Sequence, residues 1–185
     1  MQNKLLIVVD MQNDFITGAL ANKDAQAIVK PLADVVKHFD GALIFTCDTH
    51  DEYYAETQEG KKLPYPHCIY ATKGWDIQDE LMEAANTSFS KHEVYEPLFL
   101  PKNTFGSLKW YGILTDYNNR CKYDEIQICG TCTDICVISN ALILKAMFPE
   151  TPIKVRANLC AGSTPEKHKA ALDIMESCQI EVIYD

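Results

Sequence analysis

The sequence has little basic charge and no long hydrophobic run. Its 185 residues include 17 lysines and arginines against 26 aspartates and glutamates, so the formal net charge is −9. This balance argues against nucleic acid or an anionic membrane surface as a partner. The first apolar run, Leu5–Val9, ends at Asp10 and is too short for a signal peptide or a membrane span. We therefore expect a cytoplasmic protein.

A disulfide framework is not expected either, although the chain contains eight cysteines. Such frameworks belong to small secreted chains, whereas these cysteines lie within apolar strand and helix patterns. We expect reduced thiols. The composition is otherwise ordinary for a globular protein, with 47% apolar and 23% charged residues. This length suits a single domain over residues 1–185 with a sizeable core.

Strand-like apolar runs alternate with helical patterns along the chain. The predicted strands are Leu5–Val9, Ala42–Thr46, a segment near Ser90–Val94, Glu125–Cys129, Ile153–Arg156 and Ile180–Ile183. The predicted helices are Asp24–Phe39, Trp75–Ala85, Ser107–Arg120, Thr133–Met147 and Pro165–Cys178. This alternation predicts a three-layer α/β/α fold of the Rossmann-like kind, with a mostly parallel central sheet of about six strands.

Polar residues follow the predicted strands at their carboxyl ends. Asp10 follows the first strand, Asp48 and His50 follow the second, Lys102 lies beyond the third and Cys136 follows the fourth. In parallel sheets, ligands bind at this edge, near the point where the strand order reverses. Residues that are distant in sequence therefore become neighbours: a nucleophile, a carboxylate base, a cation and metal ligands.

Cys136 lies where a predicted buried strand turns into a predicted helix. A cysteine near a helix N-terminus is close to the positive end of the helix dipole, which lowers the thiol pKa and favours the nucleophilic thiolate. The alternative is that Cys136 is one more buried cysteine. Asp10 could cap a turn, but beside a thiol it is a candidate general base.

A second set of residues has the chemistry of a metal site. Asp48 and His50 alternate along an extended segment, so both can reach one ion, and His67 can complete the site from the next loop. Two imidazoles and a carboxylate suit Zn²⁺, Fe²⁺ or Mn²⁺, with positions left open for water or substrate. The alternative is that these are histidines of a surface loop.

The closely spaced cysteines offer two other interpretations. Cys129, Cys132 and Cys136 could bind a structural metal or an iron–sulfur cluster, because clustered thiolates are good ligands for soft metals. Cys129, however, is predicted to point into a buried strand, and no fourth clustered ligand follows. Cys129 and Cys132 could also form a redox pair, although they precede the helix instead of opening it.

Three ordered motifs resemble those of the isochorismatase-like cysteine hydrolases. They are Val8-Val9-Asp10-Met11-Gln12-Asn13-Asp14-Phe15, Pro101-Lys102-Asn103-Thr104-Phe105 and Gly130-Thr131-Cys132-Thr133-Asp134-Ile135-Cys136-Val137. The resemblance extends from Leu5 to about Ile183, nearly the whole chain. It implies the α/β fold of that family.

The resemblance also implies roles for these residues. Cys136 is the nucleophile, Asp10 takes its proton, and Lys102 lies between them and supports charge and orientation. A cis peptide bond is implied between Thr131 and Cys132. It would direct the backbone N–H groups of Cys132 and Cys136 towards a developing oxyanion.

Within this family, the metal-containing nicotinamidase branch carries an Asp-x-His pair and a downstream Pro-x-His-like segment, which match Asp48, His50 and His67. Isochorismatases proper lack this set. Some nicotinamidases have a further glutamate ligand, which Glu59 matches with an offset of one residue; a solvated loop carboxylate is the alternative. The resemblance implies one divalent metal ion, with Zn²⁺ favoured over Fe²⁺ or Mn²⁺.

The implied activity is hydrolysis of nicotinamide to nicotinate and ammonia in NAD salvage, with pyrazinamide as an analogue. Phe15 and Phe105 occupy positions where the family places aromatic walls around a flat ring. Nicotinamidases usually have a large aromatic residue where this chain has Pro64, so Tyr65 could supply that wall or the amide could differ.

The alternatives to this activity are a related amidase acting on an N-carbamoyl or ureido compound, and a non-catalytic binding or thiol redox protein. Family members commonly form homo-oligomers, so a dimer or tetramer is expected.

Overall fold

The computed structural model describes residues 3–92, 96–116 and 120–184. The strands are β1 (Lys4–Val9), β2 (Ala42–Asp48), β3 (Leu98–Lys102), β4 (Glu125–Thr131), β5 (Ile153–Ala161) and β6 (Glu181–Ile183). The helices are α1 (Asn13–Ile16), α2 (Lys23–His38), α3 (Gln58–Lys62), α4 (Asp79–His92), α5 (Trp110–Leu114), α6 (Ile138–Met147) and α7 (Pro165–Ser177). Among the described residues, six strands form one sheet in the order β3-β2-β1-β4-β5-β6, and every pairing is parallel. The predicted α/β fold is confirmed.

The strand order reverses between β1 and β4, the two central strands. From β1 the chain moves outward through β2 to β3, and from β4 it moves outward through β5 to β6. Because such crossovers are right-handed, the two halves place their helices on opposite faces of the sheet. Accordingly, α2 packs against α4, and α6 packs against α7. The reversal point lies at the carboxyl ends of β1 and β4, where Asp10 and Cys136 are found.

The core follows from the apolar pattern of the individual elements. Residues Leu5–Val9 of β1 are completely buried because helices cover both faces of the sheet. Helix α2 begins at an Asn22 cap, whose side chain accepts hydrogen bonds from the backbone N–H groups of Asp24 and Ala25. It buries one helical face: Ala25, Ile28, Val29, Leu32, Ala33 and Val36. Each large apolar side chain buried in this way contributes about 1.5–3 kcal/mol.

The strand predicted near Ser90–Val94 is wrong. Helix α4 extends to His92, Glu93 and Val94 lie outside the described residues, and the third strand is Leu98–Lys102. Within α4, the Thr87 and Ser90 hydroxyls donate hydrogen bonds to carbonyls one turn earlier, so these polar residues remain compatible with a helix. Strand β3 lies at the sheet edge, contains Pro101 and is half-exposed, so it lacks a buried apolar pattern.

Two helix predictions need new boundaries. The helix predicted over Ser107–Arg120 is limited to α5. Beyond it, the Asp116 N–H donates a hydrogen bond to the Arg120 carbonyl, and the Asp116 carboxylate accepts one from the Arg120 N–H. The helix predicted over Trp75–Ala85 begins at Asp79, where the Gln78 side chain accepts hydrogen bonds from the Glu80 and Leu81 N–H groups.

The remaining helix predictions, in α2, α6 and α7, are confirmed to within a few residues, although Thr133–Val137 forms a π-helical turn before α6. In the described ranges, no helix is long and apolar enough to cross a membrane.

Candidate active site

Asp10, Lys102 and Cys136 meet at the carboxyl edge of the sheet. Asp10 follows β1, Lys102 is the last residue of β3, and Cys136 lies in the π-helical turn after β4. Lys102 Nζ lies 2.6 Å from Asp10 Oδ2 and 3.6 Å from Cys136 Sγ. All three residues are buried. The lysine therefore joins the carboxylate to the thiol, in the arrangement that the resemblance implies.

Asp10 is held by its neighbour on β2. The Thr46 hydroxyl donates a 2.7 Å hydrogen bond to Asp10 Oδ1 and accepts one of 3.2 Å from the Asp10 backbone N–H. Asp10 has φ 47°, a left-handed conformation that turns the chain away from β1. Its Oδ2 atom contacts Lys102 and is paired with no further donor in the described part of the chain. This oxygen is therefore available to accept a proton.

The turn that carries Cys136 is tightly wound. The Thr131–Cys132 peptide bond is cis, and the Cys132 carbonyl accepts hydrogen bonds from the backbone N–H groups of both Ile135 and Val137. Gly130, which precedes this turn, has φ 116°, and a Cβ atom there would lie 2.2 Å from the Val9 carbonyl oxygen. Only glycine allows β4 to approach β1 so closely in this conformation.

The environment of Cys136 does not lower the pKa of its thiol. The lowered pKa expected from its position near a helix N-terminus is therefore wrong. Burial raises the pKa of the thiol well above its ordinary value, and the Asp10 carboxylate raises it further, whereas the Lys102 charge acts in the opposite direction. Burial also raises the pKa of Asp10, although Lys102 and Thr46 oppose this effect. The resting thiol is therefore neutral, and forming a thiolate requires a base at the site.

Lys102 remains charged despite its burial. Burial favours a neutral amine, but Asp10, Cys136 and Asp48 outweigh this effect and raise the pKa of Lys102. The buried charge is thus compensated by its neighbours.

Asp48, His50 and His67 form the predicted cluster beside this trio. Asp48 Oδ2 lies 3.0 Å from His50 Nε2 and 3.4 Å from His67 Nε2. One donor atom from each residue lies within 4.8 Å of the others. A tetrahedral zinc site with bonds of about 2.0–2.2 Å needs donor atoms about 3.3–3.6 Å apart. The cluster therefore fits a small divalent cation in both chemistry and spacing.

Groups around the cluster orient its ligands. His67 Nδ1 is 2.8 Å from the Tyr65 carbonyl oxygen, so Nδ1 carries the proton and Nε2 is left to coordinate. The Tyr54 ring contacts both imidazoles edge-on, with centroid distances of 4.7 Å to His50 and 5.1 Å to His67. Glu59 Oε1 lies 3.9 Å from Nε2 of each histidine. Glu59 is thus close enough to join the ligand set after a small movement.

Cys136 and the Asp48 cluster open into one cavity of about 1400 Å³. Phe15 and Phe105 line it, as predicted, whereas Tyr65 is 58% exposed and does not contribute. The backbone carbonyl of Tyr65, rather than its ring, reaches the site. Among the described residues, the tyrosines that line the cavity are Tyr54 and Tyr70.

The alternative cysteine interpretations find less support in this geometry. Cys129 is completely buried and its thiol points to the Ile7 carbonyl, whereas Cys132 and Cys136 line the cavity. All eight cysteines lie in described segments, and each is a free thiol. Among the described residues, the group with metal-binding spacing is Asp48, His50 and His67.

Three buried polar residues near the site have no recognisable signal in the sequence: Thr46, Gln12 and Asn140. The Gln12 side-chain amide donates hydrogen bonds to the carbonyls of Asp48 and Trp75 and accepts one from the Asp48 N–H. These bonds fix the position of the end of β2. Their partners are 30 or more residues away in most cases, and spacing along the chain gave no signal for them.

Residues 4–184 match the family model of the isochorismatase domain. The chain belongs to the isochorismatase family. Among relatives of this family member, the nicotinamidase/pyrazinamidase of Mycobacterium tuberculosis is 26% identical over 188 aligned positions, which cover 97% of this chain and 98% of the relative.

Solved structures agree with this assignment. The pyrazinamidase/nicotinamidase of Streptococcus mutans superimposes with a TM-score of 0.79 at 29% identity, covering 98% of this chain and 100% of that one. The pyrazinamidase of Pyrococcus horikoshii, solved in complex with zinc, has a TM-score of 0.75 at 23% identity and covers 98% of both chains. The second likeness shows the shared fold.

Proposed function

We propose that this family member is a metal-containing cysteine amidohydrolase that converts nicotinamide and water into nicotinate and ammonia. One observation carries the proposal: Lys102 bridges a base and a thiol, and the thiol lines a cavity that is also lined by an Asp-His-His cluster. Relatives that cover nearly the whole chain are named nicotinamidases or pyrazinamidases. We also propose that residues 1–185 form a single cysteine hydrolase domain.

The first half of the reaction forms a thioester. The Asp10 carboxylate takes the Cys136 proton, and the sulfur attacks the amide carbon. Lys102 compensates the charge that develops, and the N–H groups of Cys132 and Cys136 donate to the oxyanion. The C–N bond then breaks as Asp10 returns the proton, so ammonia leaves. The raised pKa of Asp10 suits it to accept and return a proton.

The second half hydrolyses the thioester. Water attacks the acyl carbon while Asp10 takes one of its protons, the C–S bond breaks, and that proton returns to the Cys136 sulfur. The product leaves as nicotinic acid, whose carboxyl proton passes to solvent or to the released ammonia to give nicotinate, and the neutral thiol is restored. When bound at Asp48, His50 and His67, a divalent metal would supply a coordination position for the pyridine nitrogen and thereby orient the ring. Glu59 is proposed as a further ligand, and Zn²⁺ is favoured over Fe²⁺ and Mn²⁺.

The ring of the substrate would lie between Phe15 and Phe105, which line the same cavity as the thiol and the metal cluster. The volume of about 1400 Å³ also favours a second candidate, because it exceeds what one pyridine ring needs and Tyr65 does not narrow it. That candidate is a related amidase with a larger N-carbamoyl or ureido substrate. Homo-oligomer formation and a cytoplasmic location stay predictions from the sequence.

The test is ammonia release from nicotinamide by dialysed protein, with and without added Zn²⁺, Mn²⁺ or Fe²⁺. We expect metal-dependent turnover that Cys136→Ala abolishes. The control is Cys178→Ala, which removes an exposed thiol after α7 and should leave turnover unchanged. If the protein binds metal but releases no ammonia from nicotinamide, that substrate is rejected and ureido compounds are tested next.

A further inference from the structure

Asn140 is a completely buried amide in the first turn of α6, and all of its hydrogen-bonding groups are used. Its Oδ1 accepts from the Ser107 backbone N–H at 3.0 Å and from Trp110 Nε1 at 2.8 Å. Its Nδ2 donates to the Cys136 carbonyl at 2.8 Å and to the Phe105 carbonyl at 3.2 Å. An amide offers two donors and an acceptor with two lone pairs, so Asn140 is fully satisfied.

These partners belong to two different parts of the site. Cys136 carries the thiol, and Phe105 lines the cavity from the segment that follows Lys102. That segment, residues 103–107, has no regular hydrogen-bonded ladder of its own and is largely exposed. Its position relative to Cys136 must therefore come from tertiary contacts, and Asn140 supplies two of them with a single side chain.

Close packing at Gly106 points to the same conclusion. A Cβ atom on Gly106 would lie 2.5 Å from Ile143 Cδ1 and 3.1 Å from the Ser139 carbonyl carbon, so the segment is pressed against α6. The residues that flank the segment are also joined, because Lys109 Nζ donates a 2.8 Å hydrogen bond to the Pro101 carbonyl. The segment is thus held by its packing against α6 and by the joining of its flanks, and Asn140 links it to Cys136.

We propose that Asn140 is a positioning residue whose amide fixes the Cys136 thiol relative to the Phe105 wall. This inference rests on the proposed function, because it assigns Cys136 and Phe105 to one reaction. Asn140 does not touch the substrate. It fixes the position of the Cys136 backbone through a hydrogen bond. In this way it sets the distance from the sulfur to Lys102 and the distance from the sulfur to the bound ring. A displacement of about 1 Å at a reacting centre costs about 10²-fold in rate.

The test compares Asn140→Asp and Asn140→Ser with Trp110→Phe. Asn140→Asp keeps the shape and both acceptor interactions but loses both donors, so it cuts the link between Cys136 and Phe105. Asn140→Ser is a second variant that tests the same link without introducing a buried carboxylate. Trp110→Phe removes a different hydrogen bond of the same amide and leaves that link intact. Variants are compared at a temperature where circular dichroism shows each one folded.

Two readouts are measured: kcat and KM for the amide, and the rate at which iodoacetamide alkylates Cys136, followed by mass spectrometry of its peptide. We expect both Asn140 variants to lower kcat by about 10²-fold, with a smaller change in KM, and to slow alkylation. Trp110→Phe should lower the melting temperature while kcat stays near the wild-type value. Asn140 variants that only melt earlier, with unchanged kcat and alkylation, would overturn the proposal.

The alkylation rate separates this proposal from the proposed function. If the wild-type protein does not hydrolyse nicotinamide, the reactivity of Cys136 can still be compared between Asn140→Asp and Trp110→Phe. Slower alkylation in the Asn140 variants alone would still support the positioning role, and equal rates in all three variants would refute it.

Discussion

Lys102 Nζ lies 3.7 Å from Asp48 Oδ1, while the other oxygen of the same carboxylate faces His50 and His67. The contact arises from strand register, because Asp48 and Lys102 are paired at the ends of β2 and β3. Burial alone would raise the pKa of Asp48, but in the metal-free site its contacts with the two histidines and the charge of Lys102 lower it below its usual range. The metal cluster and the thiol centre therefore share one carboxylate.

Asp48→Asn should affect both centres. Removing this carboxylate abolishes tight metal binding, since it is a central donor of the cluster. It also removes a negative charge that raises the pKa of Cys136, so the thiol pKa falls. In metal-free protein at neutral pH, we expect alkylation of Cys136 to become faster by up to about tenfold. His67→Ala should lose metal without this acceleration; equal alkylation rates in the two variants would contradict the coupling.

Thr46→Val should shift the pH dependence of the reaction. The Thr46 hydrogen bond stabilises the Asp10 carboxylate, so its loss raises the pKa of Asp10 further. Because the carboxylate is the active base, kcat/KM falls as pH drops through this pKa. The acidic limb of the kcat/KM profile should move up by about one pH unit. Thr87→Ala, on the surface of α4, serves as the control; an acidic limb at the wild-type position in Thr46→Val would count against the role of Asp10.

Gly130→Ala should destabilise the protein. The positive φ and the 2.2 Å approach to the Val9 carbonyl leave no space for a methyl group. We expect the free energy of unfolding to fall by more than about 1 kcal/mol, measured by urea denaturation. Gly112→Ala is the matched control, since nothing lies within 4 Å of a Cβ atom there and alanine favours the α5 helix. Equal stability of the two variants would disprove the strain argument.

Glu59→Gln should weaken metal binding without abolishing it. Glu59 Oε1 lies farther from the histidine nitrogens than Asp48 Oδ2 does, so its contribution is expected to be smaller. We expect the metal dissociation constant to rise by about tenfold, measured by competition with a chelating dye. Glu56→Gln changes an exposed carboxylate nearby and should leave the constant unchanged. The same affinity in both variants would exclude Glu59 from the ligand set.

Residues at strand ends could be predicted from the sequence, whereas their supporting residues could not. Asp10 and Cys136 follow buried apolar runs, and a parallel sheet brings such ends together. Thr46 and Asn140 act through partners that become neighbours only once strand register and helix docking are known. The sequence likewise failed to locate β3, because an edge strand with Pro101 and exposed side chains lacks the apolar signal.

The aromatic pocket was predictable only in part. Phe15 and Phe105 line the cavity because they belong to segments that start at Asp10 and Lys102. Tyr65 follows Pro64, and its ring is directed to solvent while its carbonyl holds His67. Tyr54 contacts the histidines from a 3₁₀ turn, and that packing is a tertiary effect without a local motif.

The most direct test of the account is to trap the covalent intermediate. Metal-loaded protein is mixed with nicotinamide, quenched in acid within a turnover and examined by peptide mass spectrometry. We predict a nicotinoyl thioester on the Cys136 peptide, absent in Cys136→Ser, with ammonia released at the same rate as the adduct forms. Ammonia release that continues in Cys136→Ala, without any acylated cysteine in the wild-type protein, would contradict the account.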